Sequence, residues 1–111
     1  MRHRMHLERE YFQAMKDGSK KIEIRLADEK RQKLKVDDEI KFIPLTGKDQ
    51  PILVKVTSLE SYASFKKMYE SIDWKDLGTE SLTMDKMLEE TYKIYSPAAE
   101  EKWGVLAIGI Q

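Results

Sequence analysis

The spacing of apolar residues along the chain predicts five strands and three helices. Apolar positions alternate with polar ones where strands are expected, and they recur three and four residues apart where helices are expected. The predicted elements are, in order, a short strand at 5–7, a helix over 7–17, strands over 20–26, 39–44 and 52–59, helices over 62–72 and 82–95, and a strand over 103–110.

Turn and capping residues support several of these boundaries. Gly18 stands where a glycine commonly follows the last turn of a helix. Ser81 or Thr83 is expected to cap the third helix, and Pro97 bars its continuation. The polar stretch 27–35 is expected to form a loop or a single turn of helix.

The order β-α-β-β-β-α-α-β predicts the fold class. Strands and helices neither alternate strictly nor fall into two separate groups, and the strands are short and joined by tight turns. We therefore expect an α+β fold, with a small, curled, mostly antiparallel sheet of about five strands and helices packed at its ends. The length of 111 residues predicts a single domain over 1–111.

Composition narrows the classes of function. The chain has 20 basic and 20 acidic residues, so its zero net charge argues against nucleic-acid binding by bulk attraction, although a local basic cleft stays possible. It has no cysteine, and its two histidines lie near the N-terminus, so we expect no metal site and no cofactor. No apolar run is long enough to span a membrane, and we expect a cytoplasmic protein. The sequence does not decide its oligomeric state between a monomer and a weak dimer.

The segment after the first helix carries a recognisable motif. It reads Gly18-x-Lys20-x-x-Glu23-x-Arg25 and resembles the G-x-K-x-x-E-x-R signature of the ASCH family. Further segments follow in the order that bacterial members of the family show: Leu26–Arg31, Val36–Phe42, Tyr62-x-x-Phe65, Ile94–Ser96 and Glu101–Val105. The resemblance thus covers nearly the whole chain.

The chain departs from the family pattern at two positions. Asp37 stands where the family has a glycine, and because Asp tolerates a positive φ better than most residues, we expect the turn to be retained. Trp103 stands where the usual aromatic residue is a tyrosine.

The resemblance implies a PUA-like β-barrel with a cleft. Members of the family are mostly described as RNA-binding, and some bacterial members are amidohydrolases that act on N4-acetylcytidine with a Lys, a Thr and a Glu. By the resemblance, the lysine corresponds to Lys20 and the glutamate to Glu80. The threonine position carries Glu23, so one of the three roles is not filled.

The residue types themselves suggest a Lys/Glu/Arg cleft. Lys20 lies where a helix end passes into a strand, so it can reach a phosphate or, if desolvated, act as a base. Glu23 and Arg25 share one face of that strand, where the carboxylate can hold the guanidinium for a phosphate or a base edge. Arg31 would extend the phosphate-binding rim, and Tyr95 would add a hydroxyl group.

Each of these residues also has a purely structural interpretation. Lys20 and Arg31 could be solvated loop residues, and Glu23 with Arg25 could be an exposed ion pair. Glu80 could simply favour a helix N-terminus, and Tyr95 could belong to the core.

Two main functions follow from these expectations, beside a third, weaker class, a regulatory or interaction domain whose cleft binds a small ligand. The first is a module that binds single-stranded RNA or a nucleoside or nucleotide through Lys20, Glu23, Arg25, Arg31 and Tyr95. The alternative is an amidohydrolase on an acylated nucleoside, with Lys20 as base and Glu80 as its acid/base partner. The absent threonine favours the binding module slightly.

Overall fold

Five strands form one curled sheet whose spatial order differs from the chain order. The computed structural model describes residues 1–78 and 82–111. The strands are β1 (Arg2–Leu7), β2 (Ile22–Leu26), β3 (Glu39–Pro44), β4 (Ile52–Tyr62) and β5 (Val105–Ile110), and they lie in the order β1-β3-β4-β5-β2. The helices are α1 (Arg9–Lys16), α2 (Phe65–Ser71), α3 (Met84–Tyr92) and α4 (Pro97–Trp103), with short 3₁₀ turns at Arg31–Lys33 and Trp74–Leu77.

The long strand β4 curls the sheet into a half-barrel. Its first part, Ile52–Lys55, pairs with β3, and its second part, Val56–Tyr62, pairs with β5. The register shifts between Val56 and Ser58, which is the signature of a β-bulge, and a bulge bends its strand. Only β1 and β3 pair in parallel among the described strands, so the expectation of a mostly antiparallel curled sheet is confirmed.

The core lies on both faces of β5. Leu106, Ile108 and Ile110 pack with Phe12 and Phe42 on one side. The alternate residues Val105 and Ala107 pack on the other side against α2, α3 and the 3₁₀ turn between these two helices. All six residues of β5 are buried, which explains why the sequence of this strand is apolar at every position.

Side-chain caps fix the ends of the helices. Thr83 accepts a hydrogen bond from the Lys86 amide at 3.2 Å and begins α3, so one of the two predicted caps is confirmed. Ser64 caps α2 in the same way. Gly18 has a φ of 89° directly after α1, as its predicted role requires. Asp37 has a φ of 78°, which confirms that it replaces the family's glycine in a left-handed turn.

Several predicted boundaries were wrong. Tyr62 ends β4 instead of beginning a helix, because its pairing with Val105 extends the strand. Tyr95 lies beyond the end of α3. Pro97 begins a further helix, α4, because proline fits the first turn of a helix and the Ser96 hydroxyl caps it by accepting a hydrogen bond from the Ala99 amide at 3.1 Å. Trp103 therefore belongs to α4 and not to the last strand.

Candidate functional site

A cavity of about 380 Å³ opens beside β2 and carries most of the predicted site residues. The end of β1, helix α1, β2, the 3₁₀ turn before residue 78, and helix α3 with the segment after it form its walls. Four of the predicted residues line it: Lys20, Glu23, Arg25 and Tyr95.

Glu23 holds two cations inside the protein. Its carboxylate oxygen Oε1 lies 3.2 Å from Lys20 Nζ. Its other oxygen, Oε2, accepts a hydrogen bond from Arg25 Nε at 2.9 Å and lies 2.7 Å from Arg25 Nη2. The side chains of Lys20 and Glu23 are 5% and 6% exposed. The three side chains therefore form one buried network, and the interpretation of Glu23 and Arg25 as an exposed ion pair is wrong.

Backbone carbonyl groups also accept hydrogen bonds from both cations. Lys20 Nζ donates to the carbonyl of Ile22 at 2.8 Å and to that of Leu77 at 3.5 Å. With Glu23, these acceptors match the three donors of an ammonium group. Arg25 Nη2 also donates to the carbonyl of His6 at 2.6 Å, which ties β2 to the open edge of β1.

Gly78 allows the 3₁₀ turn Trp74–Leu77 to approach Lys20. Its φ is 79°, and a Cβ atom added there would lie 3.2 Å from Ala14 Cβ and 3.7 Å from Lys20 Cβ. The Lys21 amide donates to the carbonyl of Asp76 at 2.6 Å and anchors the same turn. The glycine in an otherwise polar loop was the sequence signal for this close approach.

Aromatic rings line the same cavity as the charged residues. Tyr95 stacks on Phe65 with ring centroids 5.3 Å apart and planes inclined at 22°. Burial raises the pKa of Tyr95, so its hydroxyl stays protonated in the neutral range. Tyr11 lies on the other side of the network, with its ring centroid 5.3 Å from Lys20 Nζ.

A buried hydroxyl pair also lines the cavity, and the sequence analysis did not find it. Thr91 Oγ1 donates to the carbonyl of Met87 at 2.7 Å and accepts a hydrogen bond of the same length from the Tyr69 hydroxyl. Burial raises the pKa of Tyr69. Both residues fall on apolar helical stripes, so nothing in the pattern separated them from ordinary core residues.

The two remaining predicted residues are Arg31 and Glu80. Arg31 does not line the cavity; it pairs with Asp28 at 3.1 Å, and its buried Nε has no hydrogen-bond partner among the described residues. It lies close enough to Tyr95 to lower that residue's pKa, against the larger effect of burial. Glu80 lies outside the described residues.

The charges around the cavity balance. Its described lining has three cations, Lys20, Arg25 and Lys93, and three carboxylates, Glu8, Glu23 and Glu90. The remaining lining residues are mainly apolar or aromatic. Such a cavity favours an uncharged, partly aromatic group with hydrogen-bonding edges, because a free anion would gain little from a balanced site.

The fold and the site define a PUA-like protein, and sequence comparison gives its family. The chain belongs to the ASCH domain family, whose model matches residues 5–111. The resemblance seen in the sequence and the PUA-like fold expected from it are thereby confirmed. No curated protein matches the chain significantly.

Three solved structures resemble the chain. The crystal structure of the hypothetical protein PH0355 is 36% identical, with a TM-score of 0.87 and coverage of 100% of this chain and 98% of the other. The solution structure of protein PF0455 from Pyrococcus furiosus is 32% identical, with a TM-score of 0.78 and coverage of 100% and 96%.

The third is more distant. A crystal structure of the S128A mutant of ZmASCH from Zymomonas mobilis is 12% identical, with a TM-score of 0.62 and coverage of 97% of this chain and 66% of the other. At that identity the likeness concerns the fold alone. In the described part of the chain, no helix is long and apolar enough to cross a membrane.

Proposed function

We propose that this protein is an RNA- or nucleotide-binding module that takes one nucleoside unit into the cavity beside β2. The observation that carries this proposal is the buried Lys20–Glu23–Arg25 network at one wall of an aromatic cavity. ASCH family membership is consistent with RNA or nucleotide binding. We propose this function for a single domain that spans residues 1–111.

The size and lining of the cavity fit a nucleoside. A volume of about 380 Å³ lies near the lower end of the 300–1,000 Å³ typical of small-molecule pockets. The Tyr95–Phe65 stack offers an aromatic surface, and stacking of a base on such a surface is worth roughly 1–3 kcal/mol. Arg25 makes no described hydrogen bond through Nη1, which leaves one donor group for a base edge or a phosphate.

Binding of a short single-stranded RNA, followed by fluorescence anisotropy, tests this proposal. We expect Lys20→Ala and Arg25→Ala to weaken binding at least tenfold. Arg25→Ala removes a charged donor worth about 1.5–3 kcal/mol, and Lys20→Ala removes the ammonium group that holds Glu23 beside Arg25. Lys21→Ala is the matched control, since Lys21 is exposed and follows Lys20 directly. Unchanged affinity in both cavity variants would show that the site is wrongly assigned.

A milder variant separates binding from folding. Tyr95→Phe removes the hydroxyl and keeps the stack on Phe65. We expect it to retain its thermal midpoint and to bind RNA severalfold more weakly, in line with about 1 kcal/mol for one hydrogen bond. It therefore reports on the cavity even if Lys20→Ala does not fold.

A hydrolase is the second candidate, because a lysine and a buried hydroxyl line the same cavity. The geometry of Lys20 and Thr91 favours it less: every donor of the Lys20 ammonium has an acceptor, and the Thr91 hydroxyl already donates and accepts. The hydrolase interpretation also needs Glu80. Incubation with N4-acetylcytidine, with Lys20→Ala as control, tests it by the release of cytidine, and no turnover above that control would exclude it.

A further inference from the structure

The outer face of β1 and β3 concentrates positive charge. Arg4 and Lys41 are partners in the parallel register of these strands, so their side chains stand side by side on the same face. Residues on either side of them, such as Met5 and Phe42, point into the core. Exposed Leu53 is the partner of Lys41 on β4 and continues this row with an apolar side chain.

The cations of this row are not neutralised within the described residues. Within residues 1–78 and 82–111, neither Arg4 nor Lys41 forms an ion pair, whereas Arg2 in the next row pairs with Glu39 at 3.4 Å. Like charges directly opposite one another on a sheet are destabilising. An external anion would relieve this repulsion.

Lys30 adds a third cation at the open edge of β1. Its Nζ donates to the carbonyl of Arg4 at 2.7 Å. Desolvation lowers the pKa of Lys30, and the nearby guanidinium groups of Arg31 and Arg25 lower it further, as expected where positive charge accumulates. Arg4, Lys30 and Lys41 together form a surface that we call the basic face.

The basic face leads to the cavity. Arg25 lines the cavity and donates to the carbonyl of His6, two residues along β1 from Arg4. Side chains of Arg25 and Lys30 thus bridge the open edge of β1 at neighbouring points. In a chain of zero net charge, this segregation places cations beside a cavity whose own charges balance.

We propose that the basic face binds the phosphate backbone of a single-stranded RNA, one nucleoside of which enters the cavity. This inference rests on the proposed function and extends it from a cavity to a surface. The strand must be single because an inserted base has to be unpaired and unstacked, as RNA recognition through splayed bases requires. The phosphates on either side of that nucleoside supply the anions that the basic face lacks.

The test compares two double variants that change the net charge equally. Arg4→Gln/Lys41→Gln removes two cations from the basic face, and Lys66→Gln/Lys67→Gln removes two exposed cations from α2. Affinity for a short single-stranded RNA is measured by anisotropy over a series of KCl concentrations. Each of the four ribonucleosides is titrated separately by calorimetry.

We expect the first variant to reduce the slope of log affinity against log salt by about 1.4, because each phosphate contact to a single strand contributes about 0.7. At about 0.1 M KCl this corresponds to roughly 25-fold weaker RNA binding. Its affinity for the preferred ribonucleoside should equal that of the unmodified protein, and the α2 variant should match the unmodified protein in both measurements.

The outcomes separate the surface from the cavity. An unchanged salt slope in the first variant, or an equal loss in the α2 variant, overturns the basic face while ribonucleoside binding still supports the cavity. Equal affinity for a duplex of the same length overturns the assignment to a single strand. If Lys20→Ala leaves ribonucleoside binding unchanged, the cavity assignment fails, whatever the basic face does.

Discussion

Replacement of Glu23 by Gln is expected to destabilise the protein strongly. The carboxylate lies within 3.2 Å of Lys20 Nζ and 2.7 Å of Arg25 Nη2, and the three side chains are between 5% and 14% exposed. Removal of one partner from a buried ion pair costs about 3–5 kcal/mol, because a buried charge is left uncompensated. Total stability of a small domain is only about 5–15 kcal/mol, so this loss is a large part of it.

Urea unfolding followed by circular dichroism measures the effect. Glu101→Gln is the matched control, since Glu101 is exposed on α4 and forms no ion pair among the described residues; we expect it to change stability by less than about 0.5 kcal/mol. Lys20→Met in the Glu23→Gln background should cost less than the two single changes together, because their effects are coupled. A loss below about 1 kcal/mol for Glu23→Gln, with additive double-variant behaviour, would refute the buried network.

Two further predictions concern other parts of the fold. Gly109→Ala should lower stability in urea unfolding, because a Cβ atom there would meet Ser58 Oγ and Thr57 Oγ1 and force both hydroxyl groups to turn away; an unchanged stability would contradict the close approach. Gly18→Ala has nothing within 4 Å among the described residues, so it should cost only the roughly 1–2 kcal/mol that a side chain adds at a φ of 89°. The pKa of Tyr92 is raised to about 12 by partial burial and by hydrogen bonding to Glu100. An alkaline absorbance titration should therefore show Tyr92 ionising last, and Glu100→Gln should lower the pKa of Tyr92. The pKa of Tyr92 in the folded protein lies above the value near 10 of the unfolded chain. The protonated Tyr92 side chain therefore stabilises the fold fully below pH 10, and this contribution is lost as the pH rises towards 12.

The sequence predicted the fold well because its strands alternate and its relatives share a long ordered motif. It could not predict which face of β2 is covered. Alternation separates Ile22 and Ile24 from Glu23 and Arg25, and hydrophobicity alone favours the isoleucines as the buried face. In the structure they are only partly buried, while Glu23 is 5% exposed. Mutual compensation of three charges makes this burial possible, and compensation depends on contacts that spacing does not contain.

The pattern of apolar and polar residues also could not predict contacts between side chains that are distant in the sequence. β1 is longer than predicted, beginning at Arg2, because His3 counted as a polar residue. In the structure His3 is buried, and its Nε2 lies 2.8 Å from Asp38 Oδ2. Tyr69 and Thr91 were hidden among core positions for the same reason, since only the folded chain brings their hydroxyl groups together.

The pairing of β2 has a consequence for the time at which the site can form during synthesis. Among the described strands β2 pairs only with β5, and the register joins Ile22 to Gly109. A ribosome adds about 5–20 residues per second, so at least about 4 s pass between the synthesis of β2 and that of β5. During that interval Lys20, Glu23 and Arg25 have been made but have no sheet to hold them together. A nascent chain that stops before Val105 therefore carries the complete motif and the described lining residues of the cavity, but lacks the strand that positions β2.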